Sequence, residues 1–206
     1  MRKIPLVEGE YYHIYNRGVD RRSIFQNQAD LSRFFESIKE FNRVDPIGSI
    51  FVHSFKKNKK NDKKLVEIIA YCLNPNHYHF ILRQLVENGI SEFMKRLSGG
   101  YTQYFNLKRK RDGALFQGKF KSSHIDSDEY LLHASVYVNL NNRFNDKPAV
   151  LSKSSWEEYV GKERDCICNT GIVLEKFRNK KEYEELALLS LEDIIKRKEW
   201  EKELEF

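Results

Sequence analysis

Cysteine is scarce in this chain: Cys72, Cys166 and Cys168 are the only three. Three cysteines do not make a disulfide framework. Cys72 stands in an apolar run and reads as a small core residue. Cys166-Ile167-Cys168 lacks a second cysteine pair, which argues against a structural zinc site. Long apolar runs are missing as well. No stretch is long and apolar enough to span a bilayer, and the opening Met1-Arg2-Lys3-Ile4-Pro5 carries no apolar signal core. The expected compartment is therefore a reducing, cytoplasmic one, with no membrane partner. Internal repeats and low-complexity segments are also absent.

The 206 residues that remain to be explained are 40% hydrophobic and 32% charged, the balance of a soluble globular protein. That length suffices for one real core plus an appendage. The net charge is +6, a basic excess compatible with a nucleic acid partner but not proof of one.

The chain is organised around Asn74-Pro75-Asn76-His77-Tyr78-His79-Phe80-Ile81-Leu82. The apolar run Leu65–Leu73 reads as a buried strand, Asn-Pro-Asn as a turn, and the segment after it as the returning strand. Side chains alternate faces along a strand, so His77 and His79 share one side and Tyr78 and Phe80 the other. Two imidazoles on one rigid strand can hold a divalent cation if further donors come from elsewhere. The bland alternative is two strand histidines that only hydrogen-bond.

Around this hairpin the other elements fall into order. Glu10 to Asn16 has strand composition and runs into Arg17-Gly18-Val19-Asp20-Arg21-Arg22, whose arginines suit phosphates or simply a solvated loop. Asp30 to Arg43 has helical periodicity through Leu31, Phe34, Phe35, Ile38 and Phe41. Ser49 to Phe55 reads as a strand, followed by a lysine-rich loop over 56–64. Ile90 to about Lys108 is a second helix, in which Gly99-Gly100 costs about 1 kcal/mol per glycine. Phe116 to Ile125 reads as a last strand, Asp126 to Asn142 as a third helix, and the residues beyond Ser152 as a charge-rich helical tail. The order β-α-β-β-β-α-β-α suits an α+β fold: a central antiparallel sheet with helices on one face. The expected division is a domain over 1–148 and a helical C-terminal extension over 149–206.

His133, Tyr137 and Asn141 recur every fourth residue and form one row on the third helix. Asn141 offers a carbonyl oxygen suited to Mg²⁺ or Mn²⁺, and Tyr137 lies one turn before it. A cation that polarises a phosphodiester, beside a hydroxyl that attacks phosphorus, would leave a covalent phosphotyrosine. Equally, Tyr137 and Asn141 fit an ordinary amphipathic helix.

Four segments together resemble the single-tyrosine HUH transposases, specifically the REP-associated tyrosine transposases of the IS200-like superfamily. They are Tyr12-His13-Ile14-Tyr15-Asn16-Arg17-Gly18, Asn74-Pro75-Asn76-His77-Tyr78-His79, Tyr101 to Lys121, and Tyr137-Val138-Asn139-Leu140-Asn141. The resemblance implies a ferredoxin/RRM-like sheet, metal ligation by His77 and His79, and Tyr137 as nucleophile. It also implies an amide, here Asn141, assisting the metal. The implied activity is metal-dependent nicking and strand transfer of single-stranded DNA through a 5′-phosphotyrosine, near hairpins or palindromes. The family's usual proline after the asparagine is Asn142 here, so a different helix end is expected.

Arg17, Arg21, Arg22, Lys119 and Lys121 are the candidate phosphate contacts. Tyr12 and Tyr15 suit stacking on unpaired bases or, equally, a place in the core, and at least one of the two is expected in the core. His13 and His53 are expected to be structural, and His124 and His133 either supporting or bystanders. A monomer or a homodimer would serve. Two other readings stay open at this point: a non-catalytic binder of structured single strands, and a water-using metal phosphodiesterase.

Overall fold

The computed structural model describes residues 5–48, 50, 63–143, 151–163 and 165–204. Within the strand expected over 49–55 the described residue is Ile50, which is helical; the rest of that segment, with His53, and most of the lysine-rich loop lie outside the described residues.

Among the described residues, five strands form one sheet in the order β4-β1-β3-β2-β5, with every pairing antiparallel. They are β1 (Tyr11–Arg17), β2 (Val66–Asn74), β3 (His77–Gln84), β4 (Lys121–Ile125) and β5 (Lys153–Ser154). The central hairpin pairs β2 with β3 across Pro75-Asn76, with Asn74 opposite His77 and Cys72 opposite His79. The helices are α1 (Gln28–Phe41), α2 (Gly89–Arg109), α3 (Asp128–Asn139), the short α4 (Trp156–Tyr159) and α5 (Gly171–Leu174), and α6 (Lys180–Leu204). Among the described residues, no helix is long and apolar enough to cross a membrane.

Alternation along the strands sorts the side chains into two cores. One face carries Tyr12, Ile14, Tyr78, Phe80 and Leu82, packed on Phe34 and Ile38 of α1 and on Phe93, Leu97 and Tyr101 of α2. The other carries Ile69, Cys72, Ile81 and Ile125, packed on Leu131 and Val138 of α3, on Trp156 and Tyr159, and on Tyr183 and Ala187 of α6. Helices therefore cover both faces, where the element order suggested one. The physical reason is visible in β2, whose near-continuous apolar run leaves neither side fit for water. Each large apolar side chain so buried contributes roughly 2 kcal/mol.

Local chemistry explains the helix ends. The Asn27 side chain accepts from the Asp30 amide and caps α1. Asp30, fully buried, pins α1 to α2 through ion pairs with Lys108 and Arg109, and these cations hold its carboxyl below the usual range against the opposing effect of burial. α2 runs unbroken through its glycine pair. A Cβ on Gly100 would sit 2.9 Å from the Phe41 ring, so that glycine permits the close approach of α1. Nothing in the structure explains Gly99.

Three expected boundaries move. The last long strand starts at Lys121 rather than Phe116, because Gly118 turns the chain at φ 66° and Phe116 makes only a single bridge, to Gly18. The third helix is shorter than 126–142: Ser127 caps its start, and Asn141–Arg143 forms a separate 3-10 turn. Within the tail, Lys153-Ser154 joins the sheet against Leu73 and Cys72.

Candidate active site

The sheet face under α3 is the one that carries the histidine pair. Register places Arg17 opposite His77 and Tyr15 opposite His79. On the next strand, Lys121 lies opposite Tyr15 and Ser123 opposite His13. One face thus presents His77, His79, His13, Tyr15, Arg17 and Lys121 together.

At the hairpin end, three polar groups converge. Asn141 Oδ1 accepts from Asn74 Nδ2 at 2.8 Å and lies 3.2 Å from His77 Nε2. Asn74 Nδ2 is also 2.9 Å from His77 Nε2. On its other side, His77 Nδ1 is 2.7 Å from Asn76 Oδ1, which orients the ring. Asn141 reaches this position because the helix stops at Asn139 and the chain turns down in the 3-10 turn that follows.

Tyr137, on the last turn of α3, stands over the same face. Its ring meets the His79 ring edge-on at 5.7 Å and the His13 ring at 6.0 Å. Burial raises the pKa of its hydroxyl, and a hydrogen bond with Asn141 pulls the other way. His13 Nε2 is 2.9 Å from His79 Nδ1, and burial holds the His13 pKa down to about 4. A cleft of about 840 Å³ opens here, lined by His13, Tyr15, His79 and Tyr137, with Ser190 and Asp193 of α6 on its far wall. That size is within the range of small-molecule and nucleotide pockets.

The donors fit a hard divalent cation. Two ligands about 2.1 Å from an octahedral ion and at right angles are about 3.0 Å apart, close to the 3.2 Å between His77 Nε2 and Asn141 Oδ1. Among the described residues, no three His, Cys, Asp or Glu side chains cluster as a metal site. A cation bound here would take its third protein donor from the neutral Asn141 amide, and such a set would suit Mg²⁺ or Mn²⁺ completed by water or phosphate better than zinc.

The five candidate cations gather at the His77 end of the sheet. Arg17 and Lys121 are exposed on the cleft face itself, with Arg17 bonded to Gln117. Lys119 is exposed in the adjoining turn. The Arg21-Arg22 turn is held beside the hairpin by Asn76 Nδ2, which donates to the Arg21 carbonyl. Arg22 spends its Nε on the Val19 carbonyl and pairs with Asp20 at 3.7 Å.

Tyr12 is core and Tyr15 faces the cleft, as strand alternation requires. His13, expected to be structural, instead sits in the cleft beside His79. The available signal was its even spacing, two residues from Tyr15 and four from Arg17, which puts all three on one face. His124 is a bystander on the opposite face, 2.8 Å from Glu10. His133 is an exposed residue on the cleft wall. The Cys72 thiol is pushed up to about 12 by burial, which suits a core residue rather than a reactive one.

Comparison with known proteins bears on the family and the fold. No curated protein sequence is a significant match. Among solved structures, a REP-associated tyrosine transposase bound to a REP hairpin is similar at a TM-score of 0.54 and 18% identity, over 79% of this chain and 85% of the other. At that identity the match shows the shared fold. The model of the family "Transposase IS200 like" matches residues 7–141, from ahead of β1 to the Asn141 turn, and the chain belongs to the IS200-like transposase family.

Proposed function

We propose that this transposase nicks and rejoins single-stranded DNA through Tyr137, at a cation held by His77, His79 and Asn141. One observation carries the reading. Tyr137 is hydrogen-bonded to Asn141, whose Oδ1 lies 3.2 Å from His77 Nε2, while its ring packs on His79. These contacts lie within one chain, which supports a reading that needs no second subunit.

A bound Mg²⁺ or Mn²⁺ would supply Lewis-acid polarisation of the scissile phosphodiester. The protein's own groups do the rest. Arg17 and Lys121 hold the backbone phosphates on the sheet face, and Tyr15 offers a ring for an unpaired base. Tyr137 Oη bonds to phosphorus as the P–O3′ bond breaks. The tyrosine proton ends on the departing 3′-oxygen, leaving a 5′-phosphotyrosine and a free 3′-hydroxyl. The phosphotyrosine keeps the energy of the phosphodiester, so a second 3′-hydroxyl can displace the tyrosine and join the strands. A hairpin is the expected recognition element, since the structural relative is one bound to a REP hairpin.

The test is a denaturation-resistant protein–DNA band formed with labelled hairpin-bearing single strands and Mn²⁺ or Mg²⁺. It should vanish in Tyr137→Phe and in the His77→Ala/His79→Ala double variant, while hairpin binding survives in Tyr137→Phe. Binding without any band in the wild type would support a non-catalytic module. Cleaved product without an adduct would make water the nucleophile.

A further inference from the structure

Two histidines of the cleft are joined directly. Adjacent strands β1 and β3 put His13 diagonally beside His79, and His13 Nε2 lies 2.9 Å from His79 Nδ1. A hydrogen bond between two imidazoles has one donor and one acceptor, so its direction fixes where each ring carries its proton. If His13 Nε2 accepts, the His79 proton is on Nδ1 and the Nε2 lone pair is available to a cation. If His13 Nε2 donates, the His79 proton moves to Nε2, and the only nitrogen left for a metal is blocked.

We infer that His13 is a positioning residue: it accepts a hydrogen bond from His79 Nδ1–H and thereby holds the His79 Nε2 lone pair toward the cation. The inference rests on the reading of His79 as a metal ligand. Outer partners of ligating histidines do this widely, orienting the ring and fixing its tautomer. A carboxylate or a carbonyl is the usual partner; here the sheet supplies an imidazole from the neighbouring strand. A neutral imidazole has one ring nitrogen with a lone pair, and His13 Nε2 is the nitrogen that faces His79. Its place is also braced from the sides, by Tyr15 at 5.1 Å and the Tyr137 edge at 6.0 Å, so the ring has a defined seat.

The first measurement is made on the metal-free protein. Nitrogen-15 NMR of the histidine rings should show His79 protonated on Nδ1 and not on Nε2; the opposite tautomer overturns the inference. The second is Mn²⁺ affinity, followed by electron paramagnetic resonance without DNA. His13→Leu should weaken Mn²⁺ binding by about 10- to 100-fold. His13→Gln, whose carboxamide oxygen can accept the same hydrogen bond, should recover most of that loss. Equal Mn²⁺ affinity in wild type and His13→Leu overturns the role, as does a Gln variant no better than Leu. Thermal unfolding of both variants identifies a loss that is only structural, and if His13→Leu does not fold, the tautomer and the Gln variant decide. Failure of the underlying reading looks different: wild-type protein would then bind Mn²⁺ no better than the His77→Ala/His79→Ala variant.

Discussion

Arg17 is the direct cross-strand partner of His77. The last residue of β1 and the first of β3 therefore project side by side from one face, a guanidinium next to the imidazole nearest Asn141. Lys121 lies opposite Tyr15 on β4, and on the proposed reading these two cations meet the phosphates of a strand entering the cleft. Arg17→Ala and Lys121→Ala should each weaken binding of single-stranded DNA and each lower the salt slope of log Kd by about 0.7, one phosphate contact. Arg22→Ala should do less, because that side chain is already engaged with the Val19 carbonyl and Asp20. Fluorescence anisotropy across a salt series reads this, and an unchanged slope in Arg17→Ala removes the contact.

On the proposed reading, Asn141 has two roles that substitution can separate. Its Oδ1 accepts from Asn74 and faces His77, so Asn141→Ala leaves the buried Asn74 amide short of a partner, at a cost of about 1–2 kcal/mol in unfolding free energy. The same change should weaken Mn²⁺ binding. Asn141→Asp keeps an oxygen in place and adds charge, so it should bind Mn²⁺ at least as tightly as wild type. A metal affinity indifferent to both changes would take Asn141 out of the ligand set and leave it a structural amide.

Much of this arrangement is legible in the sequence because strand periodicity is local. His-x-His after Asn-Pro-Asn puts both imidazoles on one face without any knowledge of the fold, and the apolar runs on either side give the hairpin. What is not legible is long-range register. That His13 and Tyr15 share a face follows from their spacing, but that this face meets His79 depends on how β1 pairs with β3. The two-residue β5 has no period to read. Cover on both faces was hidden in the same way: the run from Val66 to Leu73 demands it, yet nothing local says that α3 and α6 supply it on the His77 side. The resemblance to single-tyrosine transposases brought Tyr137 forward from eleven tyrosines, which helical spacing alone could not do.

The helix that carries Tyr137 is anchored from behind by buried hydrogen bonds. The Tyr183 hydroxyl of α6 accepts from Asn139 Nδ2 at 2.9 Å and lies 3.2 Å from Ser135 Oγ, while Asn139 Oδ1 accepts from Ser155, which is bonded to the Tyr71 backbone of β2. Removing one hydroxyl from such a network leaves an amide donor unpaired among fully buried residues. Tyr183→Phe should therefore cost about 1–2 kcal/mol by denaturant unfolding, with no change in the secondary structure of the rest of the chain. A loss below a few tenths of a kcal/mol would mean that water reaches Asn139.

His13 also sets how stability responds to acid. Burial lowers its pKa from the ordinary 6.5 to about 4, so the folded state resists a proton that the unfolded chain accepts. Above pH 6.5 both states are neutral at this site and the full stability is present. As pH falls through 6.5 the unfolded chain gains a proton first, and stability declines until the folded form also protonates near pH 4. The linkage between those two values gives a loss of about 2 kcal/mol at pH 5 and about 3 kcal/mol at the acid end. His13→Gln has nothing to titrate at this position and should lack that part of the decline, while the remaining titratable groups act in both proteins. Unfolding free energies measured at pH 7 and pH 5 should thus fall by about 2 kcal/mol more in wild type than in His13→Gln. Parallel declines would show that the cleft admits water and charge to His13 in the folded state.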